Sequence, residues 1–296
     1  MQNILVLLDA VPGTNLCIKN DVVRYFGQKP LFSTASVQKS VFYETEIVSL
    51  GHFDDQVYRI SEVIESVQNT MGSAICVVSG SEASVYTGAH LRTKYGIPGL
   101  QEKQAVFFRN KYKMYEHAKK CRGLKPIETY QLSEAAILSN NNEMMVIKPK
   151  EMSGSIGVLI GKFADISKHV NLISPLENKH DYIIQPKIEG EIWHIDGIWA
   201  QGSSYFVASQ YVSTPTKWRM RESCYASLSL ELSVFQHDLI ETFLKDYFSK
   251  LNIDFTPFHL EVINSSEGLN FLEIAARPGG GPISDALEAR VNASKS

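Results

Sequence analysis

Residues 259–281 read HLEVINSSEGLNFLEIAARPGGG. Two apolar runs, His259–Ile263 and Leu269–Ala275, flank a turn at Ser265–Gly268, and this pattern predicts two paired strands. Glu261 lies in the first run and Glu273 in the second, so a hairpin sets the two carboxylates side by side. Strand side chains alternate, which puts His259, Glu261 and Ile263 on one face. A carboxylate on an apolar strand must be paired or bound to a cation to offset its desolvation. Two of them on adjacent strands suit Mg²⁺, a hard cation that takes oxygen ligands together with substrate phosphates. A solvated outer face of an edge hairpin is the other reading. Arg277-Pro278-Gly279-Gly280-Gly281 follows directly. The glycines allow close approach of backbone. Arg277 can reach the same metal and phosphate and stabilise charge that develops in phosphoryl or acyl transfer, or it can pair with Glu273 as a structural salt bridge.

Upstream, Lys148-Pro149-Lys150-Glu151-Met152-Ser153-Gly154-Ser155-Ile156-Gly157-Val158 joins two apolar strands, Met144–Lys148 and Val158–Ile160. Its small residues let backbone N–H groups cradle an anion, and the serine hydroxyls add donors. Lys148 can neutralise phosphate charge. The same composition also fits a flexible surface hairpin. No GxxxxGK[ST] loop occurs, and G-x-G-x-x-G is missing after the first strand, so a Walker or dinucleotide-binding loop is excluded.

The first hundred residues alternate apolar runs with helical patterns. Ile4–Leu8 and Ala74–Ser79 read as buried strands. Val57, Ile60, Val63, Ile64 and Val67 recur at helical spacing, and Ser81–Tyr95 reads as a helix closed by Gly96. Strands separated by helices imply a parallel sheet with covered faces, an α/β unit. Farther on, Tyr112–Cys121 predicts a short helix, Tyr182–Gln185 a strand and Glu191–Ser213 strand-like structure. Phe235, Leu239, Ile240, Phe243, Leu244, Tyr247, Phe248 and Leu251 form the apolar stripe of a long helix. Three regions result: an N-terminal α/β domain over 1–98, a small lobe over 99–181 carrying the loop, and a larger lobe over 182–296.

At 296 residues with 44% hydrophobic and 21% charged side chains, the chain can bury a core without disulfides or structural metal. A net charge of -3 argues against a nucleic-acid binder, which needs a basic face. No apolar run reaches about 18 residues, which argues against a membrane span, and Met1–Val11 lacks the marks of a signal peptide. Cys17, Cys76, Cys121 and Cys224 form no CxxC pair. Scattered thiols fit a reducing cytoplasm.

Four stretches in this order resemble the ATP-grasp ligases, over nearly the whole chain. Glu82-Ala83-Ser84-Val85 with Tyr95-Gly96-Ile97-Pro98-Gly99 looks like the end of that family's N-terminal domain. Arg109-Asn110-Lys111 resembles the Arg-Asp-Lys that opens its first lobe. Val146-Ile147-Lys148-Pro149 with Ser153–Val158 resembles its lysine strand and phosphate-covering loop. His259-Leu260-Glu261 with Glu273-Ile274-Ala275-Ala276-Arg277-Pro278-Gly279-Gly280 resembles its metal and catalytic strands.

The resemblance implies a two-lobed ATP-grasp fold behind the α/β domain, clamping ATP with one or two Mg²⁺ ions, Mn²⁺ being an alternative. It implies Lys111 and Lys148 on the phosphates under a loop that includes Ser153, Gly154 and Ser155. Gln185, Pro186, Lys187 and Ile188 would form the hinge that reads adenine, with Glu191 or His194 near the ribose. Glu261 and Glu273 would hold the metal, and Arg277, with Lys148, would serve the acyl-phosphate. The implied reaction is amide or peptide bond formation from a carboxylate and an amine, both amino-acid-like, with release of ADP and phosphate. A non-catalytic ATP-binding module and an ATP-dependent kinase are the alternatives. Family members are often dimers, so a homodimer is among the assemblies allowed.

Four positions depart from the family pattern. Asn110 replaces aspartate, Gln185 a common glutamate, Ile192 an acidic ribose contact and Ala275 a metal-ligating asparagine. Arg219 and Arg221 are cationic candidates for the substrate carboxylate, and Gly279 and Gly280 of the glycine run are further candidates for substrate binding. The same basic stretch also reads as a solvated loop, and Trp193, Trp199 and Trp218 read as packing residues. Many members continue well past the Arg277-Pro278 segment. The resemblance therefore implies a short or truncated C-terminal part, with Asp285–Val291 beginning a further helix.

Overall fold

Three sheets organise the chain in the computed structural model, which describes residues 4–8, 22–27, 42–47, 57–71, 75–134, 142–166, 181–224, 226–280 and 283. Asp285–Val291 lies outside them. The first sheet holds β1 (Ile4–Leu8), β2 (Val22–Gly27), β3 (Phe42–Ile47) and β4 (Ile75–Ser79) in the order β3-β2-β1-β4, parallel throughout. Helices α1 (Val57–Met71) and α2 (Val85–Tyr95) accompany it. Leu8, Ile60, Ile64, Val77, Leu91 and Ile97 pack as its core, with Val57 against it, so Val57, Ile60 and Ile64 of the stripe read on α1 meet the sheet. Helix α2 begins later than expected, because Glu82–Ser84 is a 3-10 turn, and it ends at Gly96 with φ of 64°. Arg92 of α2 is buried, donating to the carbonyls of Leu100 at 2.7 Å and Val77 at 2.6 Å. Burial pushes its guanidinium down to about 10.

Helices α3 (Glu102–Arg109) and α4 (Lys111–Ala118) lead into short strands β5 (Lys125–Pro126) and β6 (Tyr130–Gln131). Asn110 separates the two helices and caps the second, its side-chain oxygen accepting from Lys113 N. The second sheet, β6-β9-β7-β8, uses β7 (Met144–Pro149), β8 (Leu159–Lys162) and β9 (Tyr182–Pro186). The third sheet runs β12-β11-β10-β13-β14-β5. It contains β10 (Glu191–Ala200), β11 (Ser203–Tyr211), β12 (Ser227–Leu230), β13 (Phe255–Ser265) and β14 (Gly268–Ala275). A boundary at 181/182 would cut the second sheet, since β9 pairs with β6 and β7. Strand β5 reaches across it to pair with β14.

Helix α5 (Pro215–Arg219) follows β11, and α6 (Val234–Lys250) packs on the third sheet. Ser233 caps α6 reciprocally with Gln236, which satisfies two free N–H groups at the helix start. Ile240, Phe243, Leu244, Tyr247 and Phe248 are its buried stripe. Their rings meet those of Phe108, Trp199, Phe258 and Phe271 at centroid separations of 5.0 to 6.2 Å.

Gly123 follows α4 with φ of 97°, and a Cβ there would collide with the Leu239 carbonyl on α6. Strain and overlap act together, so Gly123→Ala should cost about 2–3 kcal/mol. Urea unfolding monitored by tryptophan fluorescence checks this, and an unchanged midpoint contradicts it.

Candidate active site

The hairpin that carries Glu261 and Glu273 lies inside the third sheet, with β10 on one side and β5 on the other. The two glutamates are cross-strand partners, with a register shift just beyond them. His259, Glu261, Ile263 and Glu273 all line one cavity of about 1130 Å³. The solvated edge face is therefore excluded: the carboxylates project into a pocket.

Two lysines enter the same cavity. Lys148, on β7, is 5% exposed and donates to Tyr115 Oη at 3.0 Å. Tyr115 in turn donates to the Leu272 carbonyl on β14. Burial lowers the Lys148 ammonium, while the Glu273 and Glu261 carboxylates oppose that shift. Lys111, at the start of α4, lies 3.5 Å from Glu273. Burial would raise the Glu273 carboxyl, but Lys111, Lys148, His259 and Arg277 together hold it below the usual carboxylate range.

The loop after β7 is tied down at its first limb. Lys111 N donates to the Lys150 carbonyl at 2.8 Å and Lys111 Nζ to that of Met152 at 2.6 Å. The Glu151 carboxylate accepts from Tyr86 and from Asn110 Nδ2, both at 3.2 Å. Asn110 thus caps α4 and donates to Glu151 at once; aspartate could do the first but not the second. Beyond this limb Gly154, Ser155 and Gly157 take φ of 60°, 59° and 72°. Ser153, Gly154 and Ser155 line the cavity. A run of left-handed residues turns backbone amides toward a concavity, which suits phosphate oxygens.

Arg277 does not pair with Glu273. Its Nε and Nη2 donate to Glu82 Oε1 at 3.1 and 3.0 Å, and Glu82 Oε2 accepts from Arg109. Both arginines and the glutamate side chain are 13% exposed. Burial opposes the charge on Arg277, but Glu82 and Glu273 outweigh it and raise its pKa.

Gln185, Lys187 and Ile188 line the cavity together with Ile127, Val146 and Ile192. The Gln185 amide donates to Thr129 at 2.7 Å. Neither ribose candidate, Glu191 or His194, lines the cavity. Glu191 is exposed, off the cavity, and accepts from Trp193 Nε1 at 3.3 Å. It has the opposite strand parity to Ile192, which does line the cavity. His194 has the right parity, but Tyr211 covers it with ring centroids 4.6 Å apart, and its nitrogens bond Asp196 and Ser227. Glu189, ion-paired with Lys187, lines the cavity instead.

Gly280 lines the cavity, whereas Gly279 packs on Asp196 and Ile283. Arg221 is exposed and off the cavity, with φ of 62°. The Arg219 side chain lies outside what is described. From this region the cavity takes Thr214, Pro215, Thr216, Lys217, Trp218 and Met220. Trp193 and Trp199 are buried packing residues, but Trp218 is 47% exposed at the cavity wall. The start of α5 has a local signal in Thr214-Pro215, an N-cap followed by proline at N1. Tyr115 and Glu82 carry no motif of their own that marks their roles.

The donor set fits a nucleotide triphosphate with Mg²⁺: two opposed carboxylates, two lysines, an arginine and a glycine loop around one cavity. A sequence profile of the ATP-grasp domain matches residues 142–285. An L-arginine-specific L-amino acid ligase of Bacillus subtilis is 25% identical, over 93% of this chain and 71% of that protein. The crystal structure of an L-amino acid ligase from Bacillus licheniformis superposes with a TM-score of 0.71 at 17% identity, over 96% of this chain and 69% of that one. D-alanine–D-alanine ligase from Bacillus anthracis complexed with ATP gives 0.61 at 12% identity, over 99% and 92%. Arg277 and the β13–β14 carboxylates fall within the matched residues, whereas Glu82, Arg109 and Lys111 come from earlier in the chain. Among the described residues no helix is long and apolar enough to cross a membrane.

Proposed function

We propose that this chain is an ATP-dependent carboxylate–amine ligase acting on amino acids or close analogues. The observation that carries this is the opposed pair Glu261 and Glu273 ringed by Lys111, Lys148 and Arg277. The amino acid ligase relative supports it. In this reading the substrate carboxylate attacks the γ-phosphorus of ATP, the bond to the ADP oxygen breaks, and an acyl-phosphate forms. The amine then adds to the acyl carbon, loses a proton and expels phosphate, leaving an amide.

Mg²⁺, held by Glu261 and Glu273, would neutralise phosphate charge when bound. Lys111 and Lys148 orient the phosphates, the buried Lys148 being fixed by Tyr115. Arg277 binds the acyl-phosphate oxygens. The Ser153–Gly157 loop excludes water from an intermediate that water would destroy. Ile127, Val146, Ile188 and Ile192 form an apolar slot at the Gln185–Ile188 hinge suited to adenine. Cys76, Cys121 and Cys224 are free thiols, in keeping with a reducing cytoplasm.

Incubation with ATP, Mg²⁺ and an amino-acid and organic-acid panel, followed by mass spectrometry, tests the proposal. A condensation product with ADP and phosphate, dependent on both carboxylate and amine, is expected. Intact ATP across the panel would favour a nucleotide-binding module, and a stable phosphorylated product without amine would favour a kinase.

A further inference from the structure

We propose that Asp196 is a positioning residue for the carboxylate of Glu261, acting through His259; this rests on Glu261 and Glu273 being the metal-binding pair. Strands β10 and β13 set His194 opposite Glu261 and Asp196 opposite His259. All four side chains share one face of the sheet, and Asp196, His194 and His259 are buried. His194 Nδ1 donates to Asp196 Oδ2 at 2.6 Å, and His259 Nδ1 donates to Asp196 Oδ1 at 2.7 Å. The ring of His259 is thereby fixed with Nε2 toward Glu261 Oε1, 3.4 Å away. Tyr211 Oη donates to the same oxygen at 3.1 Å. Both contacts fall on Oε1, and neither uses Oε2, so the rotation of the carboxylate is set while one oxygen is left for a cation.

The trio is not itself a cation site. Ligand atoms around a tetrahedral ion at 2.0–2.1 Å stand roughly 3.3 Å apart, whereas these are in direct hydrogen-bond contact. A buried carboxylate accepting from two imidazoles is also costly to keep merely as packing. Its place behind a cavity-lining histidine supplies a reason for it. Groups behind metal ligands fix their orientation, and their loss typically weakens metal binding 10- to 100-fold. Gly279 closes over the same carboxylate, since a Cβ there would collide with Asp196 Oδ1. The turn that carries Arg277 is therefore seated on this group too.

The test uses the full chain with a non-hydrolysable ATP analogue and Mn²⁺ as a paramagnetic substitute for Mg²⁺, free ion being read by electron paramagnetic resonance. In Asp196→Asn the amide cannot accept from both rings, and Mn²⁺ affinity should fall roughly tenfold, with analogue binding in EDTA unchanged. His259→Asn guards against misfolding of the first variant. It keeps a donor for Asp196 at the Nδ1 position and removes Nε2, and it should show the same loss. If both variants bind Mn²⁺ like the wild type and only their thermal midpoints fall, Asp196 is structural and the proposal is wrong. Glu273→Ala separates the two levels. Unaltered Mn²⁺ affinity in that variant would sink the metal reading itself. Loss there with none in Asp196→Asn and His259→Asn would sink only the positioning role.

Discussion

Arg277→Lys should lower turnover about 100- to 1000-fold while nucleotide affinity changes little. Lysine keeps the positive charge, so long-range attraction of phosphate survives. What it loses is the planar fork. Arg277 gives two N–H groups to Glu82 Oε1 and a third to the Pro278 carbonyl at 2.7 Å. The guanidinium is thus held at both ends before any substrate arrives. A lysine ammonium is a single point on a flexible stem and cannot reproduce that geometry. Donors aimed in advance at developing charge contribute most when they need no reorganisation during reaction. ADP release at saturating substrates measures the loss, and isothermal titration with a non-hydrolysable analogue measures binding. A turnover number within about threefold of the wild type would remove Arg277 from the transition state.

The same region shows what is legible in the sequence. The strands of the hairpin, the shared face of His259, Glu261 and Ile263, and the lysine loop follow from alternation and composition, because local patterns record burial directly. Strands β2, β3, β5 and β6 do not. The last two are two-residue strands fixed by distant partners, Asn270 with Lys125 and Tyr130 with Ile184. The partner of Arg277 is equally hidden. Glu273 is four residues away and Glu82 is 195, and no periodicity encodes a contact of that span. The ribose candidates lie off the cavity for a related reason. Parity puts His194 on the correct face, but only the fold shows that Tyr211 stands over it. Trp218, expected to pack, borders the cavity instead, because a lone aromatic in a polar stretch gives no sign of which surface it will meet.

Glu82→Ala should produce the largest loss of stability, about 3 kcal/mol, and should reduce turnover as well. Glu82 lies in the turn before α2, yet its carboxylate is shared by Arg109 at the end of α3 and Arg277 after β14. Three segments distant in sequence thus meet on one side chain, which sits 13% exposed. Truncation leaves two largely buried guanidinium groups without their carboxylate, and Arg109 Nε is already buried with no partner among the described residues. An uncompensated buried charge costs more than the pair contributed, so the penalty comes chiefly from what is stranded. This makes a sharper test available than the single variant. Adding Arg109→Met to Glu82→Ala removes one stranded charge and keeps most of its volume, so the double variant should recover part of the lost stability in urea unfolding. Simple additivity would mean that Glu82 and Arg109 act independently. Turnover should not recover with it, because Arg277 still lacks the group that holds its fork in place.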